Sequence, residues 1–369
     1  MKTIRTSDMG RHGPLPVKRR KVLEWTRAQI ALGKYKPGAM LPPRKWFREK
    51  FDIADHPVQQ VFAELEGEGL VRAVSGHGTY VAEKLPFVGR FLLLLNSRRK
   101  DAGVNIFAPA LQSAACQIAS ARGVHFDIRA LADAEEDSQE YAETLSEIRR
   151  QRFSGVVVQG VAKGSHGLKT FTNVDNVPIV YFDMKSELSQ GNLAVSLPIY
   201  GREYDESLFE RHFTGLVSRG CRRVAVFRPN FKSCCSQETL VAISKRLGIE
   251  IVKNGYHTFD MLEWNPSQFG RWIDLFLNSD AGRAADSVIL GDDNMLSVFT
   301  ERVTAHFGSR GATRYRVSCH CNFPCPPKAT IPVDFHGPDL IGALSTFIDY
   351  AEACRAGERH PEHPRLGAI

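Results

Sequence analysis

Basic side chains are concentrated at one end of this sequence of 369 residues, which carries a formal net charge of +7. Residues 1–84 contain 16 Lys and Arg against 9 Asp and Glu, whereas residues 85–369 contain 32 of each kind. Lys and Arg bind phosphate oxygens, so a basic segment joined to a neutral remainder is typical of nucleic-acid binding. The alternative is a basic surface that is only solvated.

A helix and a hairpin are predicted to position these side chains. Val58, Val61, Phe62 and Leu65 form one apolar stripe at helical spacing, and helices are also predicted over 18–32 and 43–51. Residues 70–74 and 79–81 flank a glycine-containing turn, which predicts a β-hairpin. A helix followed by a hairpin in a basic context is the outline of a winged helix-turn-helix. Its helix enters the DNA major groove, and its hairpin tip touches the adjacent backbone or minor groove.

Three groups of residues carry a resemblance to a known family. They are Gly33-x-Tyr35-x-Pro37-Gly38-x-x-Leu41-Pro42, then Val58-x-x-Val61-Phe62-x-x-Leu65-x-x-x-Gly69-Leu70, then Gly76-x-Gly78-Thr79-Tyr80-Val81. Their types and spacing resemble the DNA-binding domain of GntR-type bacterial regulators. The resemblance implies a loose arm over 1–16, a winged helix-turn-helix domain over 17–83 and a linker over 84–89.

Two departures from that family change the expected DNA contacts. Pro43-Arg44-Lys45 replaces the usual Ser-Glu-Arg, so Lys45 stands in for the arginine that contacts DNA. Ala54-Asp55-His56-Pro57 replaces Ser-Arg-x-Thr; we expect Asp55 to be a helix N-cap and Pro57 to lie in the first turn. Base reading then passes to His56, Gln59 or Gln60, because Gln pairs with adenine N6 and N7. The predicted DNA-contacting residues are Arg44, Lys45, His56, Gln59, Gln60, Arg72, His77, Gly78 and Thr79, with an exposed turn histidine as the alternative for His77.

Strands and helices alternate from residue 90 onward. Residues 91–95 are a continuous apolar run, as in a strand buried on both faces. Two cycles of alternation predict two doubly wound parallel sheets, so the fold class is α/β. Ligands of such sheets bind in the crevice outside the carboxyl ends of the strands.

Four pieces of this second part resemble the effector domain of LacI/GalR regulators, which is related to periplasmic sugar-binding proteins. They are Asn105-Ile106-Phe107 with Gly123, Val177-Pro178-Ile179-Val180-x-x-Asp183, Gly220-Cys221-Arg222-Arg223-Val224-Ala225 and Asp292-Asp293-Asn294-Met295. The resemblance implies a two-lobed domain over 90–369. It also implies that Phe107, Asp183, Arg228, Asp292 and Asp293 bind a small carbohydrate, through an aromatic face and charge-assisted hydrogen bonds. The alternatives are a core phenylalanine and helix N-caps.

The remaining motifs predict no catalytic site and no cofactor. The sequence contains no Gly-x-Gly-x-x-Gly, P-loop or Gly-x-Ser-x-Gly motif. Cys319, Cys321 and Cys325 lack a zinc-binding spacing, so core thiols are expected instead of a metal site. There is no apolar run of membrane-spanning length and no signal peptide, which predicts a cytoplasmic protein with reduced cysteines.

These features together predict a homodimeric transcription regulator of repressor type, similar to the arabinose-repressor type. It would bind double-stranded operator DNA and a small sugar-like effector. Two alternatives belong to other classes. A sugar-binding transport protein would share the second fold but not the basic N-terminal segment. An enzyme fused to a DNA reader would carry a cofactor-lysine motif, which we do not find.

Overall fold

The computed structural model describes residues 16–95, 107–131, 138–159, 174–182, 193–196, 202–230, 234–261, 264–308 and 311–358. Its first part, the head, contains helices α1 (Val17–Ala31), α2 (Arg44–Phe51) and α3 (Asp55–Gly67) and a hairpin of β1 (Val71–Val74) and β2 (Gly78–Val81). All three predicted helices and the hairpin are present. The predicted arm, apart from residue 16, lies outside the described residues.

Aromatic rings and one buried ion cluster hold the head together. Phe47 is fully buried and packs edge-on against Trp25 and Phe62. Arg27 is 5% exposed and bonds to Glu64 of α3 and to Glu68 directly after this helix, with Nε 2.8 Å from Glu68. Pairing and hydrogen bonding are what make such a buried charge tolerable. The helices of the head are therefore fixed by contacts within the head.

The start of α3 differs by one residue from the prediction. Ala54 occupies the N-cap position without a side-chain hydrogen bond, and Asp55 is the first helical residue. The Asp55 carboxylate lies 3.9 Å from Arg48 of α2, so it pairs with a cation and does not cap the helix. Pro57 lies in the first turn as expected, where its missing N–H has no helical acceptor to lose.

The first lobe is built on a parallel sheet of order β4-β3-β5-β6-β7. Its strands are β3 (Arg90–Leu95), β4 (His125–Ala130), β5 (Gly155–Gln159), β6 (Ile179–Phe182) and β7 (Ala194–Ser196). Helices α4 (Phe107–Arg122) and α5 (Gln139–Arg149) pack on its faces. Every residue of the apolar run 91–95 is buried, because helices cover this central strand on both sides.

The second lobe repeats the architecture with a parallel sheet of order β12-β11-β10-β8-β9. Its strands are β8 (Arg223–Pro229), β9 (Glu250–Phe259), β10 (Ser287–Leu290), β11 (Arg316–His320) and β12 (Val333–His336). Its helices are α6 (Arg202–Ser218), α7 (Gln237–Arg246), α8 (Pro266–Asn278), α9 (Asp280–Ala284), α10 (Asn294–Phe307) and α11 (Gly311–Arg314). Strand β9 runs to Phe259 past an irregularity in its pairing with β8. Strand β12 was not predicted.

The last helix, α12 (Leu340–Ala356), returns to the first lobe although it follows a strand of the second. Leu344 and Phe347 of α12 lie in the core of the first lobe with Phe91. Two chain crossings between the lobes, 321–325 and 336–340, run side by side: the Cys321 amide donates to the carbonyl of His336 at 2.9 Å. A Cβ on Gly337 would lie 1.7 Å from the Cys321 carbonyl oxygen, so only glycine fits this approach.

Candidate nucleic-acid interface and effector cleft

The exposed side of α3 carries the three side chains predicted to read bases. His56 and Gln59 are exposed, and Gln60 is partly exposed. The Gln60 amide nitrogen lies 3.1 Å from Nε2 of His56, so these two side chains bond to each other in the free protein. For the Gln59 side chain, the described part of the structure contains no hydrogen bond. Gln59 is therefore the better candidate for pairing with a base edge.

Arg44 and Lys45 open α2 on the outside of the head. Both are exposed, and the Lys45 side chain is 80% exposed with its ammonium 3.9 Å from Glu49 one turn later. An exposed pair of this length is weak, so the ammonium is available to a phosphate. Phe47, two residues on, points into the core and fixes the orientation of the helix.

The hairpin presents the remaining predicted contacts. Arg72, His77 and Gly78 are exposed, and Thr79 is partly exposed. Gly78 has φ +123°, which only glycine adopts easily, and the chain turns there back into β2. The His77 ring bonds to the carbonyl of Ser75 at 3.0 Å, which orders the tip. The hairpin is tied to α3 by the Ala73 amide, which donates to the Glu66 carboxylate at 2.8 Å.

The cations of the head divide into two sets. Arg19 and Arg27 are committed to Glu64, at 3.0 and 3.1 Å. Arg20, Lys21 and the cations of the predicted contact set, Arg44, Lys45 and Arg72, remain exposed. These exposed cations are available to a polyanion, whereas Arg19 and Arg27 are not.

The candidate site of the second lobe lies where the strands β8, β10 and β11 end. Arg228 near the end of β8 is 1% exposed, and its guanidinium donates to the Asp205 carboxylate of α6 at 2.7 Å. The guanidinium also stacks 4.8 Å from the Phe209 ring and donates to the Cys235 carbonyl at 3.4 Å. Burial alone would lower the pKa of Arg228, but the Asp205 charge raises it above the usual range. Asp205 was not predicted as part of this site.

Asp292 and Asp293 follow β10, and their roles differ. One Asp292 oxygen accepts from the Asn294 amide at 2.9 Å and from its side chain at 2.8 Å, so Asp292 orders the start of α10. Asp293 occupies the N-cap position without a side-chain cap bond. It is 4% exposed and accepts at 2.9 Å from Asn322 in the first crossing between the lobes. The capping alternative therefore holds for Asp292 and is wrong for Asp293.

Burial raises the pKa of both carboxyl groups. The pKa of Asp292 rises to about 6, through burial first and then the charge of Asp293. Burial likewise raises the pKa of Asp293 to about 6, against the lowering effect of the Asn322 hydrogen bonds. His320, at the end of β11, is buried beside Asp292, and burial lowers its pKa. A polar ligand with hydroxyl groups would find acceptors here that are already desolvated.

Two predicted effector contacts belong to the first lobe. Phe107 begins the described part of α4, packs against the core of that lobe and meets Phe182 edge-on at 6.1 Å. It is partly buried, so one part of the ring remains accessible. Asp183 follows β6 and lies outside the described residues.

The cavity next to Arg228 is small. It measures about 30 Å³ and is lined by Tyr204, Asp205, Arg228, Asp292 and His320 among others. Pockets for small molecules usually measure about 300–1,000 Å³, so the second lobe by itself provides only one wall. A larger groove of about 370 Å³ lies elsewhere, between the end of β9 and α8, and includes the half-exposed Trp272. At the first location, desolvated charged groups lie at the carboxyl ends of parallel strands, which is where ligands of such sheets bind.

The cysteines at and just after the end of β11 are free thiols that lie wholly or partly inside the fold. Cys319 and Cys321 are buried, and Cys325 is partly buried. Within the described residues, no group of three or more His, Cys, Asp or Glu side chains is arranged to hold a metal ion. Nor does that part of the chain include a helix long and apolar enough to cross a bilayer.

Comparison with known proteins identifies the head. The family model described as bacterial regulatory proteins of the gntR family matches residues 18–81, which is the span from α1 to β2. Residues 18–81 are thus similar to the DNA-binding segment that this family model describes. The match ends before the first lobe begins.

This chain is similar over part of its length to curated proteins that are named as regulators. It is 25% identical over 213 residues to the arabinose metabolism transcriptional repressor of Geobacillus stearothermophilus, which covers 57% of this chain and 54% of that protein. It is 33% identical over 65 residues to the mannosyl-D-glycerate transport/metabolism system repressor of Escherichia coli (strain K12), covering 18% of this chain and 27% of that one. The chain thus spans about half the length of the first of these relatives, and less of the second.

Solved structures match the two-lobed part. A LacI-family regulatory protein from Chloroflexus aggregans superposes with a TM-score of 0.53 at 12% identity, over 75% of this chain and 94% of that chain. The transcriptional regulator CelR in complex with cellobiose gives a TM-score of 0.50 at 13% identity, over 84% and 86%. At these identities the likeness establishes the fold. The chain therefore combines a head that matches the gntR family model with a two-lobed fold like that of these LacI-family structures.

Proposed function

We propose that this protein is a transcriptional repressor that binds operator DNA through its head and a small sugar-like effector between its two lobes. The observation that carries the proposal is the union of a gntR-type head with a two-lobed fold. The domain boundaries proposed with it are 17–83 for the head, 84–89 for the linker and 90–369 for the effector domain. The curated relatives with repressor names support the direction of control.

The proposed DNA contacts come from α2, α3 and the hairpin. Gln59 reads a base in the major groove, and Lys45 and Arg72 bind phosphates on either side of it. Since helix-turn-helix proteins bind two half-sites as two-fold dimers, we propose that the protein acts as a homodimer in the cytoplasm. The proposal assigns it no enzymatic activity and no cofactor.

The proposed effector contacts come from both lobes. Arg228, Asp292 and Asp293 form the wall on the second lobe, and Phe107 and Asp183 form the wall on the first. The cellobiose complex of a regulator with this fold supports a carbohydrate as the class of ligand. Closure of the lobes on the ligand would change the spacing of two heads in a dimer, which requires different affinities for the open and closed states.

Selection from a random pool of DNA duplexes tests the DNA half of the proposal. The full-length protein should enrich a two-fold symmetric motif, with log K falling steeply against log salt. The double variant Lys45→Ala, Arg72→Ala should lose enrichment. As a matched control, Lys253→Ala removes an exposed lysine of the second lobe and should not alter it. Equal loss in both variants would contradict the assignment to the head.

A thermal-shift screen of monosaccharides and disaccharides tests the effector half. A ligand that binds only the folded state raises the melting temperature by mass action. The matching ligand should then weaken or strengthen binding to the selected motif. A panel in which no sugar shifts the melting temperature, while other small metabolites do, would replace the carbohydrate by another ligand class.

A further inference from the structure

Arg355, in the last turn of α12, has an unusual set of partners. In the part of the chain that the structure describes, its guanidinium forms no ion pair with a carboxylate. It donates instead to neutral oxygens: Phe153 O at 2.7 Å, Gln151 Oε1 at 2.8 Å, Ser154 O at 3.0 Å, and Ala31 O and Asn176 O at 3.3 Å. Burial lowers the pKa of Arg355 to about 9, which still leaves the group charged at neutral pH.

These partners belong to separate parts of the fold. Ala31 is the last residue of α1 in the head, whereas Gln151, Phe153 and Ser154 precede β5 in the first lobe. The guanidinium also lies 5.0 Å from the ring of Phe87, in the segment that joins the two parts. One side chain therefore bonds to the head and to the first lobe and covers the connection between them.

Arg355 places a positive charge at the C-terminal end of α1. The last carbonyl groups of a helix have no partner within it, and the negative end of the helix dipole favours a cation there. Helix α1 has no basic residue in its own last turn. Arg355, 324 residues further along the chain, donates to the Ala31 carbonyl at this end.

The backbones on both sides are in close contact. Gly33, with φ +64°, lies so near α12 that a Cβ on it would be 2.4 Å from the Arg355 carbonyl oxygen. The Ser154 hydroxyl donates to the Phe87 carbonyl at 2.8 Å and accepts from the Gly89 amide at 3.2 Å. The head is thus packed directly against the first lobe, in addition to being joined to it through the connecting segment.

The opposite end of α12 lies at the crossings between the lobes. The Leu340 amide donates to the Phe323 carbonyl at 3.3 Å, and Asp339 accepts from the Ile341 amide at 3.0 Å. A helix of 17 residues spans about 25 Å at 1.5 Å per residue. Helix α12 therefore connects the chain crossings between the lobes with the contact to the head.

We propose that Arg355 is a positioning residue that fixes the head to the first lobe, so that α12 and the first lobe carry the head as one body when the lobes close. The proposal rests on the proposed function for the statement that the head reads DNA and the lobes bind an effector. The fixation itself is a property of the free protein and does not depend on either ligand.

Hydrogen exchange of the full-length protein, measured by mass spectrometry without DNA, tests the fixation. The junction segments 31–35 and 85–90 contain amides that are hydrogen-bonded in the structure. In Arg355→Ala these amides should exchange at least about tenfold faster, since local opening sets their protection. Amides of α3 in the head and of β3 in the first lobe should stay within about twofold of the wild type.

Two further variants keep the test decisive. Arg314→Ala also removes an arginine that donates to three backbone carbonyls, those of Gly282, Arg283 and Ala285, but it lies within the second lobe and should leave the junction unchanged. Arg355→Lys keeps the positive charge but loses the planar guanidinium, so it should accelerate hydrogen exchange at the junction by a smaller factor. This variant replaces Arg355→Ala if Arg355→Ala does not fold.

Unchanged exchange at the junction in both Arg355 variants would overturn the proposal. So would equal acceleration of the junction, α3 and β3, because this indicates a general loss of stability. Binding of the wild type to a random-sequence duplex of 30 base pairs is measured in parallel. If the wild type fails to bind DNA while the exchange result holds, the proposed function is wrong and the fixation by Arg355 stands.

Discussion

Charged side chains in the head and at the strand ends of the second lobe differ in how deeply they are buried and how close their partners lie. The Lys45 side chain is 80% exposed and its ammonium lies 3.9 Å from Glu49, whereas the Arg228 side chain is 2% exposed and bonds directly to Asp205. Removing an exposed charge has little effect on folding, whereas removing one partner of a buried pair destabilises the fold. We therefore expect binding and stability to separate for the exposed cations of the head and to be linked at Arg228.

The largest expected effect is the loss of Arg228. Arg228→Ala leaves the largely buried Asp205 carboxylate, whose side chain is 14% exposed, without its cation, which should lower the free energy of unfolding by up to roughly 3–5 kcal/mol. Urea denaturation measures this loss. Arg283→Ala, which breaks the exposed pair with Asp280, is the control and should stay close to the wild type. Equal stabilities of the two variants would remove the distinction between cleft and surface charges.

Base reading by α3 gives the next largest effect. Gln59→Ala should relax the preference at one base pair of the selected motif, at a cost of about 1–3 kcal/mol. Gln60→Ala should cost less, because its amide must first leave His56. Binding to point variants of the motif measures both. If Gln60→Ala alters the motif and Gln59→Ala does not, the base contact has been assigned to the wrong glutamine.

The acidic pair after β10 should make stability depend on pH. With its pKa raised to about 6, folded Asp293 binds a proton more tightly than the unfolded chain. The contribution of the protonated Asp293 carboxyl group to stability is therefore present at low pH and is lost as the pH rises from about 4 through 6. Asp293→Asn, which stays neutral, should gain stability over the wild type across this interval, on the order of 1–2 kcal/mol.

Urea denaturation of both proteins at pH 4.5, 6 and 7.5 measures this difference. His212 has the opposite effect on the pH dependence of stability. Burial, followed by the charges of His336, His320 and Arg211, lowers the pKa of His212. Its contribution to stability is therefore lost as the pH falls below about 6.5. Both proteins share this effect, so it cancels in the comparison. A difference that is constant with pH would show that the Asp293 carboxyl group does not titrate in this range.

The smallest effect is expected from Lys45. Lys45→Ala should weaken binding to all duplexes by a similar factor and reduce the slope of log K against log salt by about 1. Its free energy of unfolding should not change, because the side chain is exposed. Titrations at several salt concentrations measure the slope. A change in the preferred motif would mean that Lys45 contacts a base.

Much of the head could be predicted because its signals are local. The stripe Val58, Val61, Phe62 and Leu65 and the glycine turn at 76–78 lie within one short segment, and all four apolar residues are buried in the structure. The apolar run 91–95 likewise identified a central strand. The strand Val333–His336 escaped prediction because it is short, half-buried and adjacent to a proline-rich segment, and only pairing with β11 makes it a strand.

The sequence by itself was enough to predict the two architectures and the exposed side of α3, because helical and strand periodicity depend on neighbours a few residues away. The tertiary structure decided which charged groups meet. Arg228 finds Asp205 23 residues away, Asp293 finds Asn322 29 residues away, and Arg355 finds Ala31 324 residues away. These pairs form where separate elements are packed together, and no local pattern in the chain specifies which distant residue will be the partner.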